Sequence, residues 1–462
     1  MNPMNLSHHP VLPSYPSSNL TVPLSVPRWF TRLERGFAIG VVMYHTSFMY
    51  LPLAGRLTAE DPMSNRSPVL EGSPMLALLK GLMLITLFFL VSQRWRSIGR
   101  LMLRRMGLLA LMGWILASCF WAPNFDYSWK AANELCIVTL TGFYLAARFS
   151  LREFLDLAAI ALGLVAGINF LYCLAVPSVG LQIGLQAGAW RGVFIQKNTL
   201  SRMMFFSTLV FLSLISTQEP NDRSKLVWYR GGMILCTLLT LLSQSKTGLL
   251  LILGFALLVP LLKVLRSRHL VVPPIAFCAF LVAAMVVVFV VGNYEAILAA
   301  LGRDVTLSGR TDIWGVLVDK IAQRPWMGYG YAGFWQGKEG ESIDVWYVSR
   351  DMPPHGHNGY LDMALDLGLV GLGIFLANVV QGLGRSLRWL RQMPMVEGLF
   401  PILYLSALLV YNLAEGSLIG ESSFNLIWLL YCYVTSAILI GQIPPQYRPK
   451  SKFLGDRSTT EP

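Results

Sequence analysis

The stretch RGGMILCTLLTLLSQSKTGLLLILGFALLVPLLKVL, residues 230–265, decides the fold. Two apolar runs, 230–243 and 248–265, flank a polar tetrapeptide at 244–247. A helix of about 20 apolar residues crosses the hydrocarbon core of a bilayer, and somewhat shorter runs do so when the helix is bent or the bilayer thins locally. The pattern therefore predicts two membrane helices joined by a tight hairpin.

The composition extends this prediction to the whole chain. Of 462 residues, 54% are hydrophobic and 13% are charged, whereas a soluble domain carries about a quarter charged residues. Lipid must therefore cover most of the surface, and we expect an all-α integral membrane protein. The formal net charge of +12 does not indicate a nucleic-acid partner, because the cations gather in short loops.

Further apolar segments predict about 12 transmembrane helices. Their approximate bounds are 35–53, 75–92, 106–121, 132–147, 154–176, 199–217, 230–243, 248–265, 270–292, 359–381, 399–414 and 422–441. The predicted organisation is a disordered cytoplasmic tail at 1–30, transmembrane helices 1–9 within 31–292, a large periplasmic loop at 293–358, transmembrane helices 10–12 within 359–441, and a second cytoplasmic tail at 442–462.

The distribution of cations tests this count. Cytosolic loops are enriched in Lys and Arg, and with the N-terminus inside, every even-numbered connection should be basic. This holds for the connections that contain Arg94, Arg96, Arg100, Arg104, Arg105, Arg148, Arg152, Arg223, Lys225, Arg230, Lys263, Arg266, Arg268, Arg385, Arg388 and Arg391. Both termini are therefore predicted to be cytoplasmic.

The long connection 293–358 differs from the others. Its many aromatic residues indicate a folded segment, since disordered segments are poor in aromatics. Apolar residues at Ile313, Leu317 and Ile321 have the spacing of an amphipathic helix over 311–323. We expect this helix to lie on the outer membrane surface.

Cations are rare on the predicted outer side, and four candidates stand out with one histidine. They are Arg191, Lys197, Lys246, Arg310 and His357. Arginine and lysine suit a pyrophosphate, and fixed cations stabilise a departing diphosphate. Histidine has the pKa of a general base at neutral pH. Asp362 is placed to orient this imidazole, and Asp366 and Glu415 are considered for the same role.

Each candidate also has a purely structural explanation. Arg310 can flank the surface helix, Lys246 can solvate the hairpin, and cations near helix ends such as Arg191 and Lys197 commonly snorkel to the interface. His355 and His357 can be ordinary loop residues. The six cysteines lie in apolar stretches without metal-ligand spacing, so the sequence predicts neither a disulfide framework nor a metal site.

At these residues the chain resembles the O-antigen ligase and polysaccharide polymerase superfamily, in its exopolysaccharide polymerase branch. Four stretches carry the likeness: WRGVFIQKNTL at 190–200; SQSKTG at 243–248; SGRTDIW at 308–314 followed by PWMGYG at 325–330; and HNGYL at 357–361 leading to LGLVG at 367–371. Gln196 stands where that branch often has His, and Ser201 where it often has Gly.

The resemblance implies a GT-C-like glycosyltransferase that uses a polyprenyl-pyrophosphate-linked sugar donor, inverts the anomeric carbon, and needs neither metal nor nucleotide cofactor. It implies His357 as the base, Arg310 and Lys246 as pyrophosphate ligands, and Arg191 and Lys197 as helpers. The expected function is polymerisation of lipid-linked repeat units into exopolysaccharide at the periplasmic face of a bacterial inner membrane.

Three alternatives stay open. An O-antigen ligase would transfer a finished glycan to lipid A core or protein by the same chemistry. A flippase or transporter of lipid-linked sugars would make no bond, and a scaffold subunit would need no convergent His and cations. The expected partners are the lipid-linked oligosaccharide, a growing glycan acceptor, membrane lipid, and other exopolysaccharide synthesis and export proteins.

Overall fold

The computed structural model describes a set of ranges that covers most of the chain. They are 27–48, 74–182, 187–216, 223–265, 277, 280–288, 310–336, 340–349, 353, 355–392, 395–416 and 425–440. Most of the predicted N-terminal tail, the predicted C-terminal tail, and most of the ninth predicted span, 270–292, lie outside the described residues.

The described residues are almost entirely helical, and their β structure is a single bridge between Leu181 and Trp190. The helices are α1 (Arg28–His45), α2 (Pro74–Arg104), α3 (Met106–Ser118), α4 (Phe125–Arg148), α5 (Leu151–Ala175), α6 (Lys197–Ile215), α7 (Arg223–Leu242), α8 (Lys246–Leu265), α9 (Arg310–Gln323), α10 (Ile343–Val348), α11 (Gly359–Gln392), α12 (Met395–Tyr411) and α13 (Asn425–Ile440). A 3₁₀ turn, Cys119–Trp121, and a one-turn helix, Pro177–Gly180, complete the set.

Six of the described helices are long and apolar enough to cross a membrane: α2, α5, α6, α7, α8 and α11. Shorter apolar helices cover Met106–Trp121, Gly398–Tyr411 and Asn425–Leu439. The chain is therefore an α-helical membrane protein, as its composition predicts. The total of about 12 spans stays a prediction.

Helix boundaries follow local signals. The Asn124 side chain accepts a hydrogen bond from the Tyr127 amide and starts α4. Ser150 does the same for Glu153 at the start of α5, in the Ser-x-x-Glu pattern of a capping box. Such caps satisfy amide groups that have no partner within the helix.

One end of the bundle is held by ion pairs, and two of them share a buried carboxylate. The fully buried Glu34 of α1 binds Arg94 at 2.9 Å and Arg148 at 2.5 Å. Arg35 pairs with Glu153 at 3.1 Å. The starts of α1 and α5 therefore lie beside the end of α4 and the middle of α2. Arg94 and Arg148 belong to the group predicted to face the cytosol.

Helix α6 lies inside the bundle and packs against α5, α7, α8 and α12. Helix α12 in turn packs along α11. Because α6 and α8 begin at the end of the bundle away from the Glu34 cluster, and α12 ends there, residues far apart in sequence meet at that end.

Candidate functional site

A short loop before α11 carries two histidines in a fixed geometry. His357 has a left-handed backbone, with φ of 51°, which is uncommon for a residue other than glycine. Its amide donates to Nδ1 of His355 at 3.2 Å. The Gly356 amide donates to Asp362 Oδ1 at 2.8 Å, and its carbonyl accepts from the Trp314 indole at 2.8 Å. Hydrogen bonds from three directions therefore hold the loop.

The start of α11 is joined to the end of α12. Asn358 Oδ1 accepts from the amides of Tyr360 and Leu361 at 3.0 and 3.3 Å. The Gly359 amide donates to the Asn412 carbonyl at 2.9 Å. A Cβ at Gly359 would lie 2.3 Å from the Asn412 side-chain oxygen, so glycine permits this approach. The two helices therefore bring His357 and Glu415 together.

Glu415 provides the carboxylate at the His357 ring. Its Oε2 lies 3.3 Å from His357 Nδ1, and the two side chains are 10% and 26% exposed. Its other oxygen accepts from Asn198 Nδ2 at 3.2 Å. A carboxylate at one ring nitrogen holds the proton there and leaves the other nitrogen to accept one. This pair therefore has the arrangement of an oriented general base.

The sequence led us to consider Asp362 first for this orienting role, with Glu415 as a further candidate. In the structure, Asp362 Oδ1 accepts from the Gly356 amide and from the Trp335 indole at 3.1 Å. Asp362 therefore shapes the loop that carries the imidazole, while Glu415 is the carboxylate at Nδ1.

Two predicted cations meet beside this pair. Lys197 is the first residue of α6, directly before Asn198, and Lys246 is the first residue of α8. Their ammonium groups lie within electrostatic range of each other. A Cβ at Gly248 would lie 2.1 Å from Ser201 Oγ, so the two helix starts pack closely. Ser201, which stands where the polymerase branch often has Gly, therefore packs against Gly248.

The start of α6 suits an anion in its backbone as well. Its N-cap residue, Gln196, makes no side-chain capping hydrogen bond. Helix N-termini carry partial positive charge and amide donors that bind phosphates. Lysine ammonium groups and helix N-termini are thus combined at one place.

Arg191 has a different environment. Its Nε donates to the Val179 carbonyl at 2.8 Å, and its Nη1 to the Ile195 carbonyl at 3.2 Å. Burial lowers the pKa of its guanidinium, although an arginine stays charged at neutral pH. Two of its five donors therefore hold the loop before α6, and a role as a substrate ligand stays a prediction.

Arg310 is the first residue of α9, whose observed bounds agree closely with the amphipathic helix predicted at 311–323. One turn later, Trp314 donates to Gly356 in the histidine loop. The apolar side of α9 packs in a small core with Tyr329, Phe334, Val345 and Leu365. The backbone of Arg310 therefore begins a helix that is anchored to the site.

The segments PWMGYG, 325–330, and LGLVG, 367–371, pack closely against each other at two glycines. A Cβ at Gly368 would lie 2.1 Å from the Trp326 carbonyl oxygen, and one at Gly328 would lie 2.4 Å from the Leu365 carbonyl oxygen. Both residues have positive φ, 67° and 65°. The Leu369 amide donates to the Pro325 carbonyl at 2.7 Å. The PWMGYG segment thus fills the kink in α11 at Gly368.

Asn198 and Arg202 were not singled out by sequence reasoning. Asn198 lies inside the quoted 190–200 stretch, and Arg202 is a cation four residues further along α6. Arg202 is 5% exposed and donates to the Gly416 carbonyl at 3.4 Å. An ionisable residue inside a membrane helix is a signal for a functional role, and it was available from the sequence.

The fold and site define a multi-helix membrane protein with a histidine, a carboxylate and lysines at one end of its bundle. Residues 231–376 match the family model described as O-antigen ligase, which confirms the resemblance noted in the sequence. This family consists of ligases and polymerases of the glycosyltransferase kind that act on lipid-linked polysaccharides. The match spans about a third of the chain and contains Lys246, Arg310 and His357.

Individual relatives have related descriptions. The exopolysaccharide production protein ExoQ of Rhizobium meliloti is 26% identical over 56% of this chain and 61% of its own length. A proposed polysaccharide ligase of Rickettsia bellii is 38% identical over 15% of this chain and 18% of its own. Another, from Rickettsia conorii, is 30% identical over 28% of this chain and 29% of its own. The chain therefore aligns with about three fifths of ExoQ and with shorter parts of the ligases.

Proposed function

We propose that this protein polymerises polyprenyl-pyrophosphate-linked oligosaccharide repeat units into exopolysaccharide, at the periplasmic face of a bacterial inner membrane. One observation carries the proposal. His357, paired with Glu415 at 3.3 Å, lies beside the starts of α6 and α8, where Lys197 and Lys246 come together. Neither a transporter nor a scaffold requires an oriented base next to a pair of lysines.

The reaction follows from this geometry. A hydroxyl of the acceptor glycan loses its proton to Nε2 of His357, while its oxygen attacks the anomeric carbon of the donor sugar. The bond from that carbon to the pyrophosphate oxygen breaks, and polyprenyl pyrophosphate leaves. Attack opposite the leaving group inverts the anomeric carbon. Glu415 stabilises the imidazolium that forms, as a carboxylate does in hydrolase triads.

The cations act on the leaving group. Lys197, Lys246 and the amides at the start of α6 face the charge that develops on the pyrophosphate, with Arg310 as a further ligand and Arg191 as a helper. Removal of one such preorganised group typically costs a hundredfold or more in rate. Side-chain cations can neutralise the diphosphate directly, so this mechanism assigns no step to a metal ion.

A second candidate function is transfer of a finished glycan to lipid A core or protein. The specific observation in its favour is the similarity to proposed polysaccharide ligases, and both candidates use the same groups. We favour polymerisation because the alignment with ExoQ, an exopolysaccharide production protein, covers much more of this chain.

A reconstitution experiment tests the proposal. Purified wild-type protein and His357→Ala are each incubated with a defined polyprenyl-pyrophosphate repeat unit. We expect the wild type to form a ladder of products and to release polyprenyl pyrophosphate. His357→Ala should be slower by about a hundredfold or more.

Other results would change the proposal. Label found only on a non-polymer acceptor would indicate a ligase, and a substrate moved across vesicles but chemically unchanged would indicate a transporter. Full polymerisation by His357→Ala would remove the base from the mechanism.

A further inference from the structure

Two histidines and one glutamate form a cluster that the proposed reaction uses only in part. The potential ligand atoms of His355, His357 and Glu415 all lie within 4.8 Å of one another. The two imidazole rings meet edge to face with centroids 4.5 Å apart. His355 has no role in the proposed proton transfer, so its position beside the other two requires a separate explanation.

The ligand set has the composition of a zinc site. Two His and one Glu, with an open fourth position, form a recurring Zn²⁺ site in proteins. Tetrahedral zinc with bonds of about 2.0 Å places neighbouring ligand atoms about 3.3 Å apart. His357 Nδ1 and Glu415 Oε2 are separated by 3.3 Å. This edge of the site therefore already has the required length.

The surroundings of the ligands are also those of a preorganised site. Asn198 holds the second oxygen of Glu415. Gly356, between the histidines, is held through its amide by Asp362 and through its carbonyl by Trp314. Hydrogen bonds of this kind orient metal ligands and typically contribute ten- to hundredfold in affinity.

We propose that His355, His357 and Glu415 bind a divalent transition metal of the zinc class, and that this metal reversibly inhibits the protein. Imidazole and carboxylate ligands favour Zn²⁺ over Mg²⁺ and Ca²⁺, which prefer oxygen ligands. A metal on Nδ1 of His357 leaves the remaining ring proton on Nε2. The imidazole then has no lone pair for the acceptor hydroxyl, and transfer stops. The inhibition rests on the proposed function, but the metal binding does not.

The binding test uses full-length protein purified without a histidine tag and stripped with EDTA. Zn²⁺ is titrated in competition with a chromophoric chelator, and Co²⁺ is used as a spectroscopic probe of the site. We expect one tight equivalent of Zn²⁺ and the visible absorption of tetrahedral Co²⁺. His355→Asn and Glu415→Gln should each weaken binding at least tenfold, and excess Mg²⁺ should not compete.

The control changes a second pair of histidines that lie close together in the sequence, His8 and His9. The double variant His8→Ala/His9→Ala should bind Zn²⁺ as the wild type does. Loss of the tight equivalent in this control, with retention in His355→Asn, would overturn the proposal. Thermal unfolding of each apo variant distinguishes loss of the ligand from loss of the fold.

The transferase assay then tests the inhibition. Stoichiometric Zn²⁺ should lower the wild-type rate at least tenfold, and EDTA should restore it. Stimulation by Zn²⁺ would contradict the inhibitory role. If the EDTA-treated protein binds zinc tightly but forms no glycosidic bond in the absence of metal, the metal site is supported and the proposed function is contradicted. If the protein has transferase activity but does not bind zinc, the proposed function is supported and the metal site is contradicted.

Discussion

The charge on Glu415 should matter more for turnover than for substrate binding. Glutamine at this position keeps the size of the side chain but loses the negative charge beside His357 Nδ1. The imidazolium formed during proton transfer is then less stable, and we expect kcat of Glu415→Gln to fall by about ten- to a hundredfold. The KM for the lipid-linked donor should change less than threefold, since Glu415 faces the ring. Steady-state assays with the defined donor measure both constants.

Glu341→Gln is the matched control. Glu341 is a carboxylate of the long 293–358 connection, and it pairs with Lys320 at 2.5 Å. Burial opposes the charged form of Lys320, but its hydrogen bonds with Asp344 and Glu341 raise its pKa. We expect this variant to keep its kcat. An equal loss of kcat in both variants would indicate a structural effect and contradict an orienting role for Glu415.

At the scale of single residues, sequence reasoning relied on residue types that carry chemistry, and the roles that it assigned to them stay predictions. It singled out His357, Lys197 and Lys246, which the structure brings into one region. It ranked Asp362 above Glu415, because proximity along the chain favours Asp362. Glu415 reaches His357 across 58 residues. Sequence reasoning also could not predict that Arg191 donates to carbonyl oxygens, because every residue has a backbone carbonyl and the residue types do not show which one will be the acceptor.

At the scale of elements, the kink in α11 depends on one glycine. Alanine at Gly368 would have to adopt φ of 67° and would place its Cβ 2.1 Å from the Trp326 carbonyl oxygen. Because ψ of Gly368 is −178°, this conformation is essentially restricted to glycine and costs an L residue about 1–3 kcal/mol, and overpacking costs about 1–3 kcal/mol more. We expect Gly368→Ala to lower the midpoint of thermal unfolding in detergent by several degrees.

Gly373→Ala provides the comparison within the same helix. A Cβ at Gly373 would meet nothing within 4 Å, and alanine is the better helix former by about 1 kcal/mol. This variant should unfold at the wild-type temperature or slightly above it. Equal destabilisation of the two variants would show that the interlock with PWMGYG does not hold α11.

Helix α8 offers a paired test of the anion site, because it has a lysine at each end. Lys246 begins the helix beside Lys197, and the exposed Lys263 lies in its last turn. Lys246→Met should lower kcat/KM for the donor by about ten- to a hundredfold, since a cation at the pyrophosphate is lost. Lys263→Met should stay within twofold. Equal effects would assign both lysines to general membrane anchoring.

Individual helices could be predicted well because hydropathy and periodicity act locally. The amphipathic helix expected at 311–323 is observed as Arg310–Gln323. Contacts between elements could not be predicted in the same way. The packing of PWMGYG into the kink of α11 depends on positive φ at Gly328 and Gly368, and a glycine in a sequence does not say which backbone will approach it.

For the whole molecule, the sidedness of the bundle is the feature on which the proposed reaction depends. The Glu34 cluster and the His357 site lie at opposite ends of the helices, and the distribution of cations predicts that the first end faces the cytosol. Two exposed positions report on these ends: Ser97 in the basic part of α2, and Asp312 in the first turn of α9. Cysteine at each position can be labelled with a membrane-impermeant maleimide in cells with a permeabilised outer membrane.

Asp312→Cys should be labelled in intact inner membranes, whereas Ser97→Cys should react only after these membranes are opened. The parent chain supplies the background, because the cysteines among the described residues are buried or partly buried. A polyprenyl-pyrophosphate-linked repeat unit displayed on the outer leaflet can reach His357 only in this orientation. Labelling of Ser97→Cys from outside, with Asp312→Cys protected, would put the base on the cytosolic side and exclude periplasmic polymerisation by this site.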